Sequence, residues 1–160
     1  MAANQLYLAA GLLAAILTCD CGDGSRGDPG YDDSPGDDPT APAYTVEIAV
    51  TSAARIGALQ FEINHLGDSG GFIGRGDQID CTPKVDAFVA GNYVGERTAK
   101  VALISVEGIR TPAAIVDCGF RTREDLDADD FLIEVTDASD TDSAEIDPAP
   151  TVAVSAVIPR

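Results

Sequence analysis

The chain has 160 residues and a formal charge of −17, from 27 acidic against 10 basic side chains. Such a surface repels phosphate backbones and anionic headgroups, which excludes nucleic acid as a partner and direct adsorption to a lipid surface. The length suits one domain with an appended segment, and no internal repeat is visible.

In chain order, the first feature is an unbroken run of apolar or small residues from Leu6 to Thr18. As helix, these residues would cover about 20 Å, short of the roughly 30 Å hydrocarbon core of a bilayer. Residues 1–18 therefore read as an export signal and not as a stable transmembrane span. The run stops at Cys19-Asp20-Cys21, and the Cys at its end resembles the lipidation site of bacterial lipoproteins. That resemblance implies an acylated Cys19, a membrane attachment through lipid alone, and a place in the bacterial cell envelope facing periplasm or exterior. The alternatives are plain secretion, with cleavage near Ala15 or Thr18, and an uncleaved anchor.

Residues 19–43 carry seven Asp against one Arg, and Tyr31 is their only large apolar residue. Nothing there buries enough surface to offset the entropy of ordering, so a disordered acidic tether is expected. It would span about 27 Å as a flexible coil and up to about 75 Å if extended. Arg26-Gly27-Asp28 and Arg75-Gly76-Asp77 spell an integrin-type tripeptide, which a Gly- and Asp-rich chain produces by chance.

From Tyr44 the period becomes two, and residues 44–160 are expected to form an all-β domain. Val46, Ile48 and Val50 alternate with Glu47, Ala49 and Thr51, as in a half-buried strand. The same alternation places strands at Leu59-Phe61-Ile63, Val85-Ala87-Val89, Val101-Leu103, Phe131-Ile133-Val135 and Val152-Val154-Ala156, with a more continuously apolar one over Ala114 to Phe120. Turns are expected at Gly67 to Gly76, Gly91-Asn92, Gly95-Glu96, Gly108 with Pro112, and Asp137 to Pro150. Short strands at this spacing argue for a two-sheet antiparallel sandwich, with a barrel as the alternative.

Two passages carry a family resemblance. Thr45 to Val50 followed by Ile56-Gly57-Ala58-Leu59-Gln60-Phe61-Glu62-Ile63 resembles the opening of cohesin domains. Ala99 to Ser105, with Gly108-Ile109 and Ala114-Ile115-Val116, resembles their later passage of hydrophobic strand, Ser, Gly and next strand. The resemblance covers most of residues 44–157. It implies a jelly-roll sandwich related in fold to carbohydrate-binding modules, and a role in holding another protein.

Cys81 and Cys118 lie 37 positions apart, and in an oxidising compartment such a pair in a small β-domain is more often bridged than free. A Cys81–Cys118 disulfide is therefore expected, with two buried thiols as the alternative. Cohesins usually lack this bridge.

Three strings could carry chemistry. Gly67-Asp68-Ser69-Gly70-Gly71 matches the nucleophile loop of trypsin-like proteases, but the chemistry needs a His base and an orienting Asp. His65 is the only histidine, four residues before Ser69, so Ser69 is expected to be inert and the chain not to be an enzyme. Asp125, Asp127 and Asp129 resemble the first half of a calcium loop and are the candidate metal ligands. The pattern then departs, with Asp130 in place of the turn Gly and Thr136 in place of the closing Glu, and a solvated acidic loop is the plainer reading. No His and Cys cluster of the kind zinc takes is present, and no other cofactor is implied.

The domain has no Trp, and Tyr44 and Tyr93 are its only tyrosines, which disfavours a planar sugar platform. The sequence thus points to a non-catalytic, surface-tethered module that docks a protein partner. A glycan-binding module of the same sandwich type and a structural envelope lipoprotein are the alternatives. The discriminating feature is the sheet face holding Gln60, Glu62 and Lys100, because a flat face with an apolar centre suits protein.

Overall fold

A computed structural model describes residues 38–95 and 97–160. The expected export segment, Cys19, Cys21 and the tether as far as residue 37 lie outside the described residues.

The strands are β1 (Ala43–Thr51), β2 (Ile56–His65), β3 (Gly71–Phe72), β4 (Gly74–Arg75), β5 (Gln78–Ile79) and β6 (Cys81–Pro83). They continue as β7 (Phe88–Tyr93), β8 (Thr98–Ile109), β9 (Ala113–Arg121), β10 (Phe131–Ser139) and β11 (Thr151–Pro159). A single 3-10 turn, Ala128–Asp130, precedes β10, and the described residues contain no α-helix. None of them forms a helix long and apolar enough to cross a membrane.

Every strand pairing is antiparallel, in two sheets. One runs β11-β1-β9, with β3 and β6 sharing the far edge of β9, and the other runs β10-β2-β8-β7-β5-β4. Because side chains alternate along a strand, each sheet has one apolar face, and the two close on each other as a sandwich. Val46, Ile48 and Val50 of β1 meet Leu59, Phe61 and Ile63 of β2 and Val101 and Leu103 of β8 in that interior, all fully buried. At one end an aromatic cluster fills the gap, with Phe120 edge-on to Phe72 at 5.1 Å and to Phe131 at 5.3 Å.

Four local expectations change. The strand expected over Val85 to Val89 is not continuous: residues 84–87 are a bend between β6 on the first sheet and β7 on the second, and only Phe88 and Val89 are in a strand. The Cys81–Cys118 bridge holds β6 beside β9, so the chain must cross between sheets through residues 84–87. Gly91-Asn92 is not a turn but lies inside β7, where the glycine is needed for packing: a Cβ there would stand 2.4 Å from Ile79 Cγ1. Within the expected Gly67 to Gly76 turn, β3 buries Phe72 completely. Finally, the domain starts before Tyr44. Asp38 accepts two hydrogen bonds from Arg123, at 3.1 and 2.8 Å, and Arg121 donates to the Pro39 and Ala41 carbonyls, so residues 38–42 form a strap against β9.

Candidate docking face

The outward faces of the two sheets differ in chemistry. On the first, Lys84 bridges Glu47 of β1 and Asp117 of β9, and Ser155 of β11 donates to Glu47 at 2.7 Å. The hydrogen bonds from Lys84 and then Ser155 hold the Glu47 carboxyl below its usual range, and the bond to Glu47 pushes the Lys84 ammonium up. This face is knitted together by ionic and small side chains.

The second sheet is amphiphilic along its length. Leu59 of β2, Leu103 of β8 and Val89 of β7 point inward or half inward, so their neighbours in sequence point out. The register aligns those neighbours in rows. Ala58, Ile104 and Phe88 form one row, and Gln60, Ala102 and Ala90 the next. Glu134, Glu62, Lys100 and Asn92 form the third. Lys100 reaches Glu62 at 3.4 Å.

The face therefore has small residues at its centre, a charged row on one side and bulky apolar side chains on the other. Phe88 is 78% exposed, Ile104 57% and Val106 85%. Phe88 and Ile104 are cross-strand partners, and Val106 lies two residues further along the same face of β8. Together with Asp86, Ala87 and Glu107 they line a depression of about 200 Å³. Ser105, buried beneath, donates to the Asp86 carbonyl at 2.8 Å and fixes the rim on the β7 side.

The sequence-derived site residues fall elsewhere. Cys81 and Cys118 are joined by a disulfide, as expected, with Cα atoms 4.2 Å apart. Asp125, Asp127 and Asp129 are exposed around the 3-10 turn, while Leu126 between them is buried. The Asp127 amide donates to the Asp130 carboxylate at 2.7 Å, an internal use of the acidic run. Among the described residues, no three His, Cys, Asp or Glu side chains are grouped so as to hold a metal ion.

Ser69 is exposed, and its hydroxyl donates to Glu124 at 2.8 Å. His65 is only 2% exposed, its ring set between Phe120 at 4.7 Å and Phe131 at 5.3 Å. Burial lowers the His65 pKa, against the opposing charges of Asp130 and Glu124. The imidazole is thus a core group, and the hydroxyl is engaged by an acid. Sequence reasoning missed Phe88, Ile104 and Val106, although alternation contained the signal: once Val89, Val101 and Leu103 face the core, all three must face out. No protein-family model matches this chain, and no curated protein matches it.

Proposed function

We propose that the chain is a non-catalytic docking module of the bacterial cell envelope, which binds a protein partner with the outer face of its six-stranded sheet. The observation that carries this reading is the exposed trio Phe88, Ile104 and Val106 at one end of the sheet's outward face, beside the row Gln60, Ala102 and Ala90. Bulky side chains exposed together, rimmed by polar groups, mark interaction sites more often than they mark ordinary surface. Hydrolysis lacks support, because Ser69 is bound to Glu124 and the only histidine is packed among phenylalanines. The cohesin-like residue pattern favours protein docking over a purely structural role.

Glycan binding is the lesser reading. Tyr44 and Tyr93 both pack against the core, and the Tyr93 hydroxyl donates to the Phe72 carbonyl, so neither offers a free ring face to a sugar.

The test is affinity capture from the native envelope, with the full chain and its Phe88→Ser/Val106→Ser variant as baits. Both positions are exposed, so the variant should keep its fold and stay within about 0.5 kcal/mol of the parent in stability. The parent should enrich a partner at least tenfold over the variant. Equal enrichment by both would refute docking through this face, and enrichment of polysaccharide alone would favour the glycan reading.

A further inference from the structure

We infer that the segment seated at Phe88, Ile104 and Val106 is a bulky apolar side chain flanked by Lys or Arg. The inference rests on the docking reading above and adds the chemistry of the partner. The depression is lined by the apolar Ala87, Phe88, Ile104 and Val106 and by two acidic residues, Asp86 two positions before β7 and Glu107 near the end of β8. Neither carboxylate takes part in any ion pair formed among the described residues. Both rims are nevertheless held by their backbones. Ser105 bonds the Asp86 carbonyl, and the Arg55 guanidinium donates to the Glu107 carbonyl at 3.2 Å. The backbone at both acidic residues is thus held by the fold, while their carboxylates form no ion pair among the described residues.

Charge complementarity selects the occupant. An acidic or neutral apolar segment would desolvate these carboxylates without returning a partner to them. A second copy of the chain would bring the same two carboxylates and a further −17 to the contact, and an anionic lipid surface would be repelled likewise. A basic-flanked apolar segment satisfies both halves of the site. Its apolar side chain covers Phe88 and Val106, and its cations meet Asp86 and Glu107. The same complementarity steers the encounter, so association should slow as salt screens it.

The experiment uses the full chain and three labelled synthetic peptides, read by fluorescence anisotropy. The first has a Leu-Phe-Leu centre with two Lys on each side, the second replaces each Lys by Glu, and the third keeps Lys but has a Ser centre. The Lys-flanked apolar peptide should bind roughly tenfold or more tighter than either control, and added salt should weaken it. Asp86→Lys with Glu107→Lys should remove or reverse the preference for Lys over Glu. Phe88→Ser with Val106→Ser should abolish binding. Equal binding of the Lys- and Glu-flanked peptides, still dependent on Phe88, would overturn the charge inference and leave the docking face intact. Binding of the first peptide that survives Phe88→Ser/Val106→Ser would overturn the placement. An absence of binding up to about 1 mM, a free energy of only about −4 kcal/mol, would overturn the inference, while envelope capture decides the docking reading separately.

Discussion

His65 should make the stability of the fold depend on pH near neutrality. Its ring is pressed between Phe120 and Phe131, its Nδ1 has no hydrogen-bond partner among the described residues, and burial lowers its pKa. Asp130 and Glu124 pull the other way and Arg97 adds to the lowering. In the unfolded chain the imidazole titrates near its ordinary value of about 6.5, so below that pH the unfolded state binds the proton more readily than the folded one. Stability should therefore decline as pH falls from about 7 toward 5. The depressed carboxyls act in a different window. Asp38, pulled down to about 2 by hydrogen bonds from Thr40 and then Arg123, loses its contribution only as pH falls from about 4 through that value. Urea midpoints at pH 7, 6 and 5 check the assignment. The parent should drop, and His65→Gln should be nearly flat across that range. An equal slope in the variant would remove His65 as the cause.

Among the elements, the Cys81–Cys118 bridge ties the short β6 covalently to β9. β6 is three residues long and β3 two, and both lean on β9. Closing a loop of 37 positions restricts the unfolded chain by about 4 kcal/mol in the chain-entropy account, an upper figure. Cys81→Ser with Cys118→Ser should lower the unfolding free energy by about 2–4 kcal/mol, measured by urea denaturation. A loss under about 0.5 kcal/mol would mean that β6 is held by other contacts.

The long strands were legible because their alternation spans many residues: Val46, Ile48 and Val50, like Leu59, Phe61 and Ile63, all face the interior. β3 was not, since a two-residue strand among glycines has no period to read. The strap 38–42 was hidden for another reason. Its Asp and Pro composition matches a solvated tether, and what orders it, Arg121 and Arg123, comes more than 80 positions later in the chain. Of the candidate site, the parity that exposes Phe88 was present in the sequence. The cross-strand neighbours that make it a patch come only from the register.

At the scale of the described domain, the strap and the proposed docking patch lie toward opposite ends of the strands. The strap and the Arg160 amide, which donates to the Ala43 carbonyl at 2.9 Å, mark the end where β1 begins. The Phe88 row lies near the start of β2, the strand that follows the far end of β1. Metabolic labelling with a fatty-acid probe should tag the parent protein and leave Cys19→Ser untagged. An untagged parent, or a tagged variant, would reject lipidation there.

The position of β1 also sets how such a module would bear load. It lies between β9 and β11, laddered to both along nearly its whole length. A partner pulled away from the chain's point of entry would load β1 lengthwise, in shear. Its two ladders would then resist together instead of opening one hydrogen bond at a time as in peeling. The strap, bonded to Arg121 and Arg123, would have to tear first. Tension along this axis is therefore the direction in which the domain should yield last.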